Sequence, residues 1–244
     1  MNITAEEKLM YSVMEAVYCS DVPISFKGSM VLKACLMEAG YSGETRHTVD
    51  IDANWNSKNF PSIRQMVEVL QNAVNRCDIS LKVVAFRQYC EGRSAGFEIR
   101  DAESDELLFT MDVDVNRPQP VVKFYVVDGF RFCGVTPIQM IADKVSVLST
   151  DKVFRRIKDV VDLYYISKVF RFDKNAVLRT LKNSRRKLDS FTGFMHRTYE
   201  LRHSYEKFRF EGGVIKPPFE DVYTAVKDFI QEILPLNNHR DSEE

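Results

Sequence analysis

A chain of 244 residues, 45% hydrophobic and 28% charged, is long enough to bury a sizeable core as one domain or two. It has no apolar run of about eighteen residues, which predicts no membrane-spanning helix. Its first residues offer neither the basic nor the apolar stretch of a signal peptide. Five cysteines, an odd number with no CxxC pair, argue against a zinc site and read as reduced thiols of a cytoplasmic protein.

The net charge of −1 hides an asymmetry. Residues 151–216 hold 17 Lys+Arg and 8 Asp+Glu, a net of +9, so the remainder holds 17 and 27, a net of −10. A basic C-terminal half suits a polyanion partner, while solvated helix faces give the same pattern without one.

Thr4 to Glu7 is a capping box before an apolar-periodic run, which predicts a helix over 5–19. A short strand at 24–26 feeds Lys27-Gly28-Ser29, and a helix over 30–39 stops at Gly40. A polar loop over 41–46 leads to a strand over 48–53. In that strand Asp50 and Asp52 share one face, with Val49 and Ile51 on the core side. A helix starts near Ile63. Strands are expected at 79–86, 97–100, 107–115, 121–127 and 130–135, with a tight turn at Asp128-Gly129. Thr136, Pro137 and Gln139 start a helix over 137–149. Further helices are expected over 152–170, 173–187, 190–208 and 219–233. The division is an α/β part over 1–135, a basic α-helical part over 136–236 and a frayed tail over 237–244.

Two carboxylates about 7 Å apart along a strand can converge on one divalent metal. A Gly-Ser turn opening a helix presents free N–H groups to phosphate. Each signal is weak alone, because strand acids are often just a solvated face. Together, in the order strand, Gly28-Ser29, helix, Asp50-x-Asp52, they point to nucleotide chemistry. Lys144 stands at the margin of an apolar helix face, either reaching a cleft or lying along the surface. Asp159 and Asp162 share a helix face, either as site acids or as surface partners of Arg155 and Lys158. Basic residues from Arg179 to Arg209 alternate with aromatic ones; the aromatics suit a core and the cations a polyanion. Trp55 is expected to pack, and the four histidines have no partner at a telling spacing.

Lys27-Gly28-Ser29, Arg46-x-Thr48-x-Asp50-x-Asp52, Ala142-Asp143-Lys144 and Lys158-Asp159-Val160-Val161-Asp162-Leu163-Tyr164 together resemble the AbiEii/AbiGii nucleotidyltransferases. These are toxins of abortive-infection, type IV toxin–antitoxin systems, within the DNA polymerase β-like superfamily. The resemblance covers roughly residues 22–170 and rests on the set of motifs, no single one being specific. It implies an α/β (α+β) polymerase β-like core with a mixed sheet, followed by a C-terminal α-helical bundle. It implies that Gly28 and Ser29 contact an NTP, Asp50 and Asp52 bind Mg²⁺, Lys144 holds phosphate, and Asp159 is the catalytic carboxylate. Asp162 looks like a structural partner, and Arg46 matches the arginine that precedes the paired acids. Asp114 is a weaker candidate for a third metal ligand.

The chain departs from the family where Gly28-Ser29-Met30 replaces Gly-Gly-Thr, and where Thr48 replaces Ser. The implied reaction moves an NMP from an NTP to an acceptor hydroxyl, with tRNA as acceptor and a cognate antitoxin as partner. Two other readings remain open: transfer to a small-molecule hydroxyl, and a non-enzymatic NTP-binding scaffold.

Overall fold

The structure, a computed structural model, describes residues 3–57, 59, 61–89, 94–115, 118–210 and 214–235. Cys90, residues 211–213 and the 237–244 tail lie outside them. The sheet half contains α1 (Ala5–Cys19), β1 (Ile24–Lys27), α2 (Gly28–Glu38), β2 (Asp50–Trp55), α3 (Ile63–Val74), β3 (Leu81–Tyr89), β4 (Ser94–Asp101), β5 (Leu107–Asp114), β6 (Val122–Val127) and β7 (Phe130–Val135). The helical half contains α4 (Pro137–Leu148), α5 (Ile157–Ser167), α6 (Lys174–Asn183), α7 (Thr192–His196), α8 (Thr198–Lys207) and α9 (Phe219–Phe229).

Local chemistry sets several ends. The amide of Glu7 donates to the Thr4 hydroxyl, and the amide of Thr4 donates back to the Glu7 carboxylate. Thr136 caps α4 by accepting from the Gln139 amide, with Pro137 at the first helical position. Asp128 and Gly129 both take positive φ, the conformation that lets two residues join β6 to β7.

The described strands form one mixed sheet in the order β3-β4-β5-β2-β1-β7-β6. β2 pairs with β5 and β1 with β7 in parallel; the other neighbours are antiparallel. This order carries β5, remote in sequence, to the side of β2. Along β2, β5 and β4, Ile51, Ala53, Met111, Val113, Phe97 and Ile99 are buried on one face. Burying each large side chain of this set contributes about 1.5–3 kcal/mol. A one-residue slip would exchange them for Asp50, Asp52 and Asp112, so the register is strongly fixed.

The helical half buries Phe191, Phe194 and Tyr205, as expected of its aromatics, while Tyr199 stays exposed. Arg179, Lys182, Arg185, Arg186, Lys187, Arg197, Lys207 and Arg209 are exposed. Trp55 packs, at 7% exposure.

Several expected elements are divided. The 152–170 helix is a 3₁₀ turn at Asp151–Arg155 and then α5, broken at Arg156 (φ −123°, ψ 36°). The 190–208 helix divides into α7 and α8 at Arg197, a residue with φ −117° and ψ 48°. Spacing patterns survive such breaks, because apolar residues on either side still face one core. Strand β2 starts at Asp50, so Val49 precedes it and is exposed, not part of the core.

Candidate active site

Gly28 opens α2 with φ +71°, a conformation that favours glycine. A Cβ there would lie 2.2 Å from Asp52 Oδ2. The missing side chain therefore lets the start of α2 and the Asp52 carboxylate touch. The antiparallel pairing of β1 with β2 sets Lys27 opposite Asp52. Ser29 follows in the first turn of α2, nearly buried, and no side chain caps that helix start.

Asp50 and Asp52 share the polar face of β2, and the parallel partner strand sets Asp112 directly beside Asp52. Burial and then the charge of Asp52 push the Asp50 carboxyl above its ordinary range. Burial, then Asp52, act the same way on Asp112. Asp112 Oδ1 is buried without a hydrogen-bond partner. Asp114, one step further along β5, is engaged differently. It accepts from Lys27 Nζ at 2.6 Å and from the Ser94 hydroxyl at 2.5 Å. Alternation alone could not separate Asp112 from Asp114, since both lie on one face; the β2–β5 register does.

The opposite wall comes from α4 and α5. Lys144 Nζ donates to Asp159 Oδ1 at 3.0 Å and to Asp162 Oδ2 at 2.6 Å. Arg156 Nε donates to Asp159 Oδ2 at 2.9 Å. Arg46 forks onto Asp162 through Nε at 3.0 Å and Nη2 at 3.3 Å. Burial pushes the Asp162 carboxyl up, but Arg46 and Lys144 outweigh it and hold it well below the usual range. Burial opposes ionisation of Asp159 too, and Lys144 and Arg156 again prevail. Both acids turn inward, away from the surface pairing with Arg155 and Lys158 that a plain exposed helix would allow. The space beside Ser29, Arg46 and Asp162 is about 10 Å³, scarcely room for one water.

Lys158 and Arg156 link the two walls. The charge of Lys158 acts on Asp50, and that of Asp52 on Arg156. Their sequence signal was present, as Lys158 in the motif of Asp159 and Asp162 and Arg156 two residues before it, but only the fold turns them toward the strand acids. Among the described residues no three His, Cys, Asp or Glu side chains form a ready-made metal cluster. Nor does any helix among them suffice in length and apolarity to cross a membrane.

Comparisons with known proteins identify the family. The family model described as nucleotidyl transferase AbiEii toxin, type IV TA system, matches residues 20–235. Among solved structures, MenT4, a nucleotidyltransferase toxin from Mycobacterium tuberculosis H37Rv, is similar in fold. It is 15% identical, with a TM-score of 0.52 over 91% of this chain and 80% of that one. An antigenic nucleotidyltransferase-like protein from Paracoccidioides brasiliensis is 14% identical, with a TM-score of 0.47 over 82% and 94%. No curated protein matches the sequence. The chain is a member of the AbiEii family of nucleotidyltransferase toxins of type IV toxin–antitoxin systems.

Proposed function

We propose that this nucleotidyltransferase moves an NMP from an NTP to a hydroxyl of an RNA acceptor, tRNA foremost, in a Mg²⁺-dependent reaction. One observation carries the reading. Asp50 and Asp52 share a strand face beside Asp112, which has an unpartnered oxygen, and burial and then repulsion among the three raise the carboxyls of Asp50 and Asp112 beside a helix start that no side chain caps. Oxygen donors with unneutralised charge fit a hard divalent cation. Asp50 and Asp52 would hold it, with Asp112 beside them. The chemistry Mg²⁺ supplies there is charge neutralisation at the α-phosphate and the departing pyrophosphate.

The protein's own groups do the rest. The α2 N–H groups at Gly28 and Ser29, with the Ser29 hydroxyl, bind phosphate. Arg156 and Lys158 face the same acids from α5 and add positive charge against the triphosphate. Asp112, with its carboxyl raised and one oxygen unpartnered, is the better base for the acceptor hydroxyl. Asp159 has both oxygens on cations, which makes it a weak base. Its role is to hold Arg156 and Lys144 in place. Lys144, buried and bonded to two carboxylates, would act indirectly, by holding Asp159 and Asp162 in place.

An RNA acceptor is favoured over a small molecule by the shape of the site. A small acceptor calls for an enclosing pocket. The roomier recess, about 260 Å³, lies at Tyr41, Tyr164, Tyr165, Ile215 and Pro217, and none of the strand acids line it. The acids stand instead, half-buried, in a cleft between the sheet and α5, and exposed cations coat the helical half. The test is incubation with each labelled NTP, Mg²⁺ and total tRNA, beside Asp52→Ala. Label on RNA with wild type alone supports the reading. Label on small hydroxyl compounds instead, or none at all, overturns it.

A further inference from the structure

The acid row continues sideways across the sheet to an exposed aromatic ring that the chemistry above does not use. The pairing of β3 with β4 shifts between Ala85 and Arg87, leaving Phe86 as the extra residue of a bulge. Bulges re-aim side chains, and this one turns Phe86 onto the polar face. Its ring leans over Gly96, which stands opposite Asp112 on the next strand. A Cβ on Gly96 would meet the ring at 2.8 Å and Asp112 Oδ1 at 3.1 Å, so ring edge and acid approach one point. Phe86 nevertheless remains 42% exposed. The Arg87 guanidinium lies 5.1 Å from the ring centre, and its Nη2 is 3.9 Å from Asp112 Oδ2.

We propose that Phe86, with Arg87 against it, is the stacking platform for the terminal nucleobase of the RNA acceptor. The proposal rests on the reading of an RNA hydroxyl as acceptor. Gly96 is two strand spacings from Asp52, about 10 Å, and one from Asp112. That is the reach of one nucleoside lying across the sheet, its base on the ring and its sugar hydroxyl at Asp112. A π-face takes any base, and a guanidinium beside it adds both stacking and charge toward the adjoining phosphate. The bare backbone at Gly96 lets the ring settle against the sheet beside Asp112. A competing account is that the ring only covers a strand glycine, as aromatic neighbours do. That account predicts a lowered melting temperature in Phe86→Leu whatever the RNA, whereas a base stack predicts a loss confined to RNA that carries the base.

The test uses the full-length protein, Mg²⁺, the preferred labelled NTP and an RNA that accepts label. The same RNA with an abasic terminal nucleotide is run beside it. Phe86→Leu should raise KM for the intact RNA about tenfold, the scale of one lost base stack, and leave KM for NTP and the melting temperature unchanged. Phe86→Tyr should behave as wild type. On the abasic RNA, wild type and Phe86→Leu should be equally weak. An unchanged KM for intact RNA in Phe86→Leu overturns the proposal. So does an equal loss on abasic RNA, or a KM for NTP that rises in step. If wild type labels only small hydroxyl compounds, the acceptor reading falls and the platform with it, an outcome visible without any variant.

Discussion

Lys144 and Asp162 form a buried ion pair, Nζ to Oδ2 at 2.6 Å, with Arg46 closing the other side of the carboxylate. The pair joins α4 to α5, and Arg46 joins both to the loop before β2. The helical half is thereby fixed to the strand that carries Asp50 and Asp52. Removing one member of such a pair strands the other charge away from water, which costs more than the pair itself contributes.

Asp162→Asn should therefore destabilise the protein by about 3–5 kcal/mol. The sign of its pH dependence follows from its depressed carboxyl. The contribution is fully present above the unfolded value, about 4, and is lost as pH falls toward the folded one. Urea melts at neutral pH and near pH 3 should show a large difference between wild type and variant at the first and a smaller one at the second. Equal stability at neutral pH would show that the pair is not what holds the two halves.

Asp112→Asn should separate stability from activity. The substitution relieves repulsion within the acid row, so metal-free protein should gain slightly. The side chain is partly open to water, which limits the gain to roughly 0.5 kcal/mol. Transfer should fall by about a hundredfold or more, as for loss of a general base. Asp114→Asn, which removes the charge that faces Lys27, should leave Mg²⁺ affinity near wild type. The reverse ranking in Mg²⁺ titrations would return the third-ligand role to Asp114.

Gly28 and Gly40 offer a controlled comparison. Both have positive φ, +71° and +77°. An alanine Cβ at Gly40 meets nothing within 4 Å, whereas one at Gly28 strikes Asp52. Gly40→Ala should cost about 1–2 kcal/mol of backbone strain and keep transfer. Gly28→Ala should cost at least as much and abolish transfer, because Asp52 must move. Thermal melts paired with NTP turnover would decide it; retained turnover in Gly28→Ala would show that the fit of that glycine against Asp52 does not matter to transfer.

The acid limb of the pH profile should respond to magnesium. Burial and Asp52 hold the Asp50 carboxyl above its ordinary value, so protons compete with metal at higher pH than for a free aspartate. Raising Mg²⁺ should move the fall in kcat/KM to lower pH, and chelation should abolish transfer until Mg²⁺ is restored. The stability of metal-free protein should change in the opposite sense, decreasing as pH rises through the raised values. An acid limb indifferent to Mg²⁺ would assign it to another group.

Much of this site was legible from local pattern. Capping boxes, the Asp128-Gly129 turn and Asp50-x-Asp52 depend on neighbours a few residues apart, and each forms as the chain chemistry dictates. The shared face of Asp50 and Asp52 follows from strand alternation alone. Family membership was legible too, because the motifs recur in a fixed order. The residues that complete the cleft were not. Asp112 and Asp114 are equivalent by alternation, and Arg156 and Lys158 are ordinary helix cations by spacing. What distinguishes them is which strand lies beside β2 and where the helix breaks at Arg156, both long-range outcomes of packing. The sequence by itself determined that Asp50 and Asp52 share one face of a strand and that a glycine turn opens the helix before it. Only the tertiary structure decided that Asp112 stands beside them and that Lys144 is held between Asp159 and Asp162. Burial of a common core brings together side chains that no local period connects.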